Sequence, residues 1–495
     1  MNLADIIDSH DADTVALISR GRPTTYGELR DQVARFRGGL AAAGVTSGDR
    51  VALLCANGPT FVIAYLAAVG LGAAVTPLNP MSPARELAAE LAAVGAAAAV
   101  VDQVGEGSWA TLTGDGSAPS VRTVVASGPI AGAVTVDEAL RADPLPAVDV
   151  EPDHLAVLMF TSGTAGAPRA AMLSHRNLRS NIDHAQTSPG HICAGDVVYG
   201  VLPMFHIFGL NVVLGVSLAV GATVVLVQRF DPSTAIDTIR DRQVTVVPGA
   251  PPMWTDFARL PDVPADAFAS VRLALTGAAK MPTDAIDMLR ARFGLELAEG
   301  YGLTEASPVV SSSAGLPIRP GSVGRVVDGV EVRLVDEDGD DALEGDAGEV
   351  WVRGPNVFMG YLDDPEATAK VLTPDGWLRT GDVATVDEDG YLYLVDRVKD
   401  LIIVSGFNVY PAEVEDVLLE HPGVAEAGVI GVAHPHTGEA VKAYVVACPG
   451  VDLDEEALVE FCHERLARYK CPGKVLVVDE LPRNVSGKLL RRELA

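Results

Sequence analysis

The segment Leu155-Ala156-Val157-Leu158-Met159-Phe160-Thr161-Ser162-Gly163-Thr164-Ala165-Gly166-Ala167-Pro168-Arg169 decides the fold. Its first five residues form a continuous apolar run of strand length, the pattern of a strand buried on both faces. Thr161, Ser162, Gly163, Thr164, Ala165 and Gly166 then place three hydroxyl side chains and two glycines in six positions. Glycine lets the backbone approach an anion closely, and hydroxyl and N–H groups supply donors. The loop lacks the Gly-Lys-Ser/Thr ending of a Walker loop. Taken alone it also reads as an ordinary turn.

Upstream of this segment, helical and strand patterns alternate. Residues 26–43 read as an amphipathic helix, 49–54 as a strand, 59–71 as a helix and 73–78 as a strand. A further helix is expected over 83–94 and a strand over 97–101. This βαβ rhythm implies a largely parallel sheet flanked by helices. Residues 102–153 are richer in Gly, Pro, Ser and Asp and read as a connecting region with weaker elements. A second α/β block spans about 154–321. From 324 to 393 short strands separated by Asp338-Gly339, Asp375-Gly376 and Asp389-Gly390 suggest a small β subdomain. Small α/β units return after Lys399. The expected class is therefore α/β, with two βαβ-type subdomains and a small β subdomain ahead of a small α/β C-terminal unit.

A chain of 495 residues exceeds one hydrophobic core, and roughly two to four domains or subdomains are expected. Apolar residues make up 48% and the net charge is −29, which fits a packed globular protein with an acidic, well-solvated surface. Such a surface repels phosphate backbones and argues against nucleic acid as a partner. Five cysteines without CxxC spacing argue against a disulfide framework or a zinc site. The start of the chain carries no basic segment before an apolar run, so no signal peptide is expected and a cytoplasmic location is. The apolar stretch 207–227 approaches membrane-spanning length. Gly221-Ala222 interrupts it, and the β-branched run that follows reads as a buried strand, so helix, turn and strand are expected rather than a transmembrane segment. A homo-oligomer is compatible with the sequence.

Three further motifs carry chemistry. In Glu299-Gly300-Tyr301-Gly302-Leu303-Thr304-Glu305, a tyrosine between glycines suits stacking on a planar base, Thr304 offers a phosphate donor and Glu305 a hard oxygen ligand for magnesium. In Trp377-Leu378-Arg379-Thr380-Gly381-Asp382, followed by Asp396-Arg397-Val398-Lys399-Asp400, a carboxylate can take both ribose hydroxyls and an arginine can reach phosphate or ribose. The last is Pro482-Arg483-Asn484-Val485-Ser486-Gly487-Lys488, ending in one of only seven lysines. Each alone also reads as a turn or a solvated surface segment.

In this order and spacing the four motifs resemble the acyl-adenylate-forming superfamily of acyl-CoA synthetases, aryl-CoA ligases, beetle luciferases and peptide-synthetase adenylation domains. The resemblance extends from Thr25-Tyr26-Gly27-Glu28-Leu29 to Lys488. It implies an AMP-forming acid–thiol ligase that uses ATP, Mg2+ and coenzyme A. An adenylate-forming domain over 1–396, a hinge over 397–399 and a mobile C-terminal domain over 400–495 are also implied. By the resemblance, Thr161 to Arg169 form the phosphate loop, and Thr304 and Glu305 serve ATP phosphate and magnesium. Gly277-Ala278-Ala279 and Glu299-Gly300-Tyr301-Gly302 line the adenine and acyl pocket. Asp382 and Arg397 hold the ribose, Lys399 is the hinge and Lys488 the adenylation lysine. His206 gates the acyl pocket, and Val404-Ser405-Gly406-Phe407-Asn408 shape a tunnel for the pantetheine of CoA. One departure stands out: the family's loop usually ends Pro-Lys-Gly, and here it reads Pro168-Arg169-Ala170. Arginine keeps the charge and changes its geometry, which bears on how the loop closes.

The chemistry explains the residue types. A carboxylate must attack the α-phosphorus of ATP, and both partners are anionic. A lysine near the reacting oxygens offsets the developing charge, and one preorganised donor of this sort is worth roughly 3–4 kcal/mol. Phe205 is followed by His206 where amino-acid adenylation domains carry an aspartate, which argues against an α-amino acid. Between Trp351 and Arg397 there is no insertion of the kind that marks fatty acyl-AMP ligases, which favours CoA as acceptor. Gly277, Ala278, Ala279, Phe208 and Leu210 suggest an apolar pocket without an arginine for a second carboxylate. A medium- or long-chain fatty acid is the first expectation and a cinnamate- or benzoate-type aryl acid the alternative. An acyl-AMP ligase that does not use CoA, and a non-catalytic acyl- or nucleotide-binding protein, are the remaining readings.

Overall fold

Alternate residues of one strand feed two different cores, and this accounts for the unbroken apolar runs. Val51, Leu53, Val100, Val157 and Met159 face the main core, while Ala52, Leu54, Ala99, Val101 and Leu158 face a second one on the other side of the sheet. The computed structural model describes residues 1–114, 121–161, 169–336, 338–343, 345–397, 400, 402–404, 407–434, 438–466, 468–484 and 487–494, and only the backbone of 396, 397, 403, 407, 408 and 438.

These strands belong to a seven-stranded sheet in the spatial order Val134–Thr135, Thr123–Ala126, Ala98–Val101, Arg50–Leu54, Ala74–Pro77, Leu155–Thr161, Arg169–Ser174. All neighbours are parallel except the last pair, an antiparallel hairpin in which Thr161 stands opposite Arg169. The 102–153 region is thus more than a connection, since it adds two strands, Thr123–Ala126 and the edge strand Val134–Thr135. A nine-stranded sheet is parallel through its centre, where Thr223–Leu226, Val197–Gly200, Val246–Gly249, Leu273–Thr276 and Leu297–Gly302 lie side by side. One continuous core takes side chains from both sheets. The helix Pro59–Gly70 lies inside it, buried from Phe61 to Gly70.

The stretch 207–227 contains a nine-residue π-helix, Phe208–Val216, continued by Ser217–Val220. Gly221, at a φ of +81°, stops the helix, and the buried strand Thr223–Leu226 follows. The order helix, turn, strand is as expected from the sequence, but the wide π winding is not. It is held by the buried Asn211, whose Nδ2 donates to Leu178 O (3.1 Å) and Ser307 O (2.7 Å). Among the described residues no helix is long and apolar enough to cross a membrane.

The β subdomain is a four-stranded antiparallel sheet, Glu331–Val335, Gly348–Arg353, Leu378–Val386 and Leu392–Arg397. The C-terminal unit has its own five-stranded sheet and its own core, including Val409, Val414, Leu418, Val429 and Val445. Cys462, beside His463, is a buried member of that core, and all five cysteines are unbridged.

The N-terminal turn Leu3–Ile7 packs beside helix His175–Thr187. There the fully buried His175 accepts a hydrogen bond on Nδ1 from Leu3 N (2.9 Å), while its Nε2 has no partner. Burial, with His154 and the N-terminal ammonium adding to it, lowers the His175 pKa to about 4. The unfolded chain therefore binds the extra proton first. The stability held above pH ~6.5 should be lost as pH falls toward 4, by roughly 3 kcal/mol. Thermal melts from pH 7 to 4 should show this slope, and His175→Gln should flatten it; an unchanged slope would assign the acid sensitivity elsewhere.

Candidate functional site

Ligands of parallel α/β sheets bind beyond the carboxyl ends of the strands. Three adjacent strands end together in the nine-stranded sheet: Val246–Gly249, Leu273–Thr276 and Leu297–Gly302. The chain leaves them as Ala250-Pro251-Pro252, as Gly277-Ala278-Ala279, and within Glu299-Gly300-Tyr301-Gly302 itself. Three segments separated in sequence therefore meet at one edge. Ala278 adopts a φ of +73°, a conformation that costs an alanine roughly 1–2 kcal/mol. A buried hydroxyl, Thr276 Oγ1, has no partner at this strand end.

One side of the edge is apolar. A Cβ placed on Gly277 would lie 3.3 Å from Gly300 O and 3.5 Å from Phe208 Cε1. Gly277 thus packs closely beside Gly300 O and the Phe208 ring, with room for about one methyl group, and the three make an apolar wall at the strand end. His206 sits one turn before, its Nδ1 accepting from Phe208 N (3.3 Å). That bond places the proton of the neutral ring on Nε2, and burial lowers the His206 pKa, which keeps the ring neutral near pH 7. Glu299 precedes Gly300 on the strand Leu297–Gly302. Its carboxyl is pushed up to about 7 by burial, against the pull of Lys280 and a backbone bond from Met281.

The other side is polar. Tyr301 donates its hydroxyl to Asp382 Oδ2 (2.7 Å), a buried contact spanning the large sheet and the β subdomain. Asp382 pairs in register with Arg397 on the adjacent strand. Thr304 and Glu305 lie in a short turn after Gly302, pinned by Phe358 N donating to Glu305 O (2.8 Å). The Glu305 carboxylate accepts from Tyr361 at Oε1 (2.7 Å). Burial and the adjoining Glu305 hold the Tyr361 hydroxyl far above its ordinary pKa, so it remains a donor. Tyr361 also lies 5.9 Å from the Arg169 guanidinium, and Arg169 Nε bonds Asp364 Oδ2 (3.0 Å). Tyr361 and Asp364 were not expected from the sequence. The readable signals were Asp364-Pro365, a helix cap followed by proline at the first helical position, and a tyrosine after Gly360.

No group of three or more His, Cys, Asp or Glu side chains able to hold a metal occurs among the described residues. A lone carboxylate such as Glu305, with Oε2 left over by the Tyr361 bond, suits magnesium that arrives with nucleotide phosphates and keeps most of its other ligands as water and phosphate oxygen.

The C-terminal unit reaches this edge at two points. Gly487, at a φ of +81°, sits against Pro252: a Cβ there would come within 2.5 Å of Pro252 Cγ. This brings the Asn484–Lys488 turn, closed by Lys488 N donating to Asn484 Oδ1 (2.8 Å), to the strand ends. Lys280, next to Gly277-Ala278-Ala279, pairs with Asp416 (2.7 Å). Structure therefore brings together Thr161, Arg169, His206, Gly277, Ala278, Ala279, Glu299 to Gly302, Thr304, Glu305, Asp382 and the turn of Lys488. Ser162, Gly163, Thr164, Ala165, Gly166, Lys399, Ser405 and Gly406 lie outside the described residues, as do the side chains of Arg397 and Phe407.

Comparison with known proteins identifies the family. Residues 7–362 match the model of the AMP-binding enzyme family, and residues 413–488 that of the AMP-binding enzyme C-terminal domain. A 4-coumarate–CoA ligase of Oryza sativa subsp. japonica is 36% identical over 96% of this chain and 87% of its own length. A 3-[(3aS,4S,7aS)-7a-methyl-1,5-dioxo-octahydro-1H-inden-4-yl]propanoyl:CoA ligase of Rhodococcus jostii (strain RHA1) is 39% identical over 95% and 93%. Among solved structures, ATP-bound MatB from Rhodopseudomonas palustris superposes with a TM-score of 0.91 at 33% identity, covering 100% of this chain and 98% of that one. A benzoate CoA ligase from Burkholderia xenovorans LB400 gives 0.89 at 26% identity, covering 100% and 99%.

Proposed function

The chain belongs to the AMP-binding enzyme family and is an AMP-forming acid–CoA ligase, and from that premise we propose that its acid is a ring-bearing carboxylic acid of the cinnamate or benzoate type. The Phe208 ring, beside Gly277 and Gly300 O, offers an aromatic face on which a planar acid can stack. The observation that carries this reading is the similarity to ligases that act on 4-coumarate and benzoate. The fatty acid placed first on sequence grounds finds no support among them. A bulkier alicyclic propanoate is the second reading, favoured by the 39% identity to the Rhodococcus ligase.

In the proposed mechanism ATP lies along the polar side, its ribose on Asp382 and Arg397 and its phosphates toward the 161–169 loop, Thr304 and Glu305. Glu305 would hold magnesium arriving with the nucleotide, which would offset phosphate charge. The acid lies along the Phe208 wall with its carboxylate toward the α-phosphate, and the neutral His206 stands at the pocket mouth. An oxygen of the carboxylate attacks the α-phosphorus and pyrophosphate leaves. Lys488 supplies positive charge to the reacting oxygens. The resulting mixed anhydride is kept from water until the CoA thiolate attacks its carbonyl carbon and AMP departs. We place the change of arrangement between these steps at a hinge over 397–399, with 400–495 as the moving unit.

The test is a panel of 4-coumarate, cinnamate, benzoate, 3-cyclohexylpropanoate, octanoate and palmitate, read as AMP release with ATP, Mg2+ and CoA. An aryl acid should exceed octanoate and palmitate in kcat/KM by about tenfold or more, the discrimination an apolar pocket supplies. Preference for octanoate or palmitate would restore the fatty-acid reading, and preference for cyclohexylpropanoate would select the alicyclic one.

A further inference from the structure

We propose that Asp364 is a positioning residue for the nucleotide: it holds the Arg169 side chain where the strand resumes after the hydroxyl-rich segment, while Tyr361, from the same turn, holds Glu305. The inference rests on the ligase reading above and adds a role for a residue outside the four motifs.

The loop leaves the sheet at Thr161 and returns at Arg169, directly opposite in register. Both ends are therefore held by the strand ladder, and the Arg169 side chain adds a further anchor at the return. Arg169 Nε bonds Asp364 Oδ2 (3.0 Å), with the guanidinium beside the Tyr361 ring. Asp364 is itself fixed. Its Oδ1 accepts from Ala367 N (2.9 Å) as the cap of helix Pro365–Val371. Thr368 Oγ1 donates to Asp364 O (2.9 Å) and accepts from Tyr361 N (2.9 Å), closing the 361–368 turn on itself. This turn is docked on the strand that follows the loop, by Leu362 N donating to Ala170 O (2.9 Å) and a bridge between Ala171 and Tyr361.

Asp364 thus divides its two oxygens, one for its own helix and one for the loop. Tyr361, from the same turn, reaches Glu305 at 2.7 Å. The Arg169 side chain and the carboxylate that suits magnesium are consequently held by one short platform. An arginine serves this arrangement where a lysine would not, because its planar head can bond the carboxylate and lie against the Tyr361 ring together.

The two sides separate by substitution. Asn at 364 retains the oxygen that caps the helix and removes the charge that holds Arg169. Because the side chains are 38% and 35% exposed, the effect is modest. Asp364→Asn should raise KM for ATP about three- to fivefold in acid-dependent pyrophosphate exchange, with KM for the acid and the melting temperature unchanged. Arg169→Gln should do the same, and the double variant should be no worse than either single one. An unchanged KM for ATP in Asp364→Asn, a loss of melting temperature without a kinetic change, or additive effects in the double variant would each overturn the proposal. Absence of acid-dependent exchange in the unsubstituted protein would overturn the ligase reading, and the proposal with it.

Discussion

Lys488→Ala should lower acid-dependent pyrophosphate–ATP exchange by about a hundred- to thousandfold, the loss typical of one preorganised donor removed from a developing charge. The first half-reaction brings a carboxylate onto a polyanion, so its barrier is largely electrostatic. Lys488 belongs to a turn whose neighbour Gly487 rests on Pro252, at the strand ends where the acid and nucleotide sides meet. Gly487 can sit there because its left-handed φ of +81° and missing side chain permit the contact. Transfer of a preformed acyl-adenylate to CoA involves no attack on phosphorus and should fall far less. Equal losses in the two half-reactions, measured by exchange and by single-turnover thioester formation, would remove Lys488 from the adenylation step.

Asp382→Ala should weaken ATP binding by about ten- to a hundredfold in calorimetry, because a charge-assisted bond to a ribose hydroxyl is worth roughly 1.5–3 kcal/mol. Asp382 is buried at 6% exposure, so water replaces it poorly. Its Oδ2 accepts the Tyr301 hydroxyl, which aims the carboxylate. Tyr301→Phe is the informative companion: it keeps the carboxylate and removes only the aiming bond, and should cost much less. If both variants bind ATP like the parent chain, the ribose does not lie on Asp382.

The elements that proved readable from the sequence are those whose chemistry is local. Leu155–Thr161 betrays its two-sided burial by an unbroken apolar run, and helix Tyr26–Ala42 announces its start through the Thr25/Glu28 capping box. Glu305 and Asp382 stand out in the sequence because a glycine turn and a carboxylate coincide in a few positions, and the structure sets each against a tyrosine hydroxyl. The Arg169–Asp364 and Tyr361–Glu305 contacts were not legible, since their partners are 195 and 56 residues apart and each looks like ordinary turn chemistry in isolation. The π winding of Phe208–Val216 escaped for a different reason: apart from the buried Asn211 the helix is apolar or glycine, so it has no polar face from which its period can be read. The identity of the acid escaped because apolar residues and glycines such as Gly277, Ala278 and Ala279 leave no chemical signature of what they would bind.

The apolar wall beside these strand ends has a consequence for how such a protein changes over evolutionary time. Gly277, Gly300 and the Phe208 ring meet there through van der Waals contact and a backbone carbonyl. The opposite side is built from directed bonds, Tyr301 to Asp382 and Tyr361 to Glu305. A mutation that reshapes the wall, such as Phe208→Leu, removes none of those bonds. A lineage can therefore drift from one acid to another by single steps through intermediates that still activate something, while the nucleotide machinery stays under undiminished purifying selection. Diversification of substrates on a constant activation chemistry is the pattern this division of the site favours.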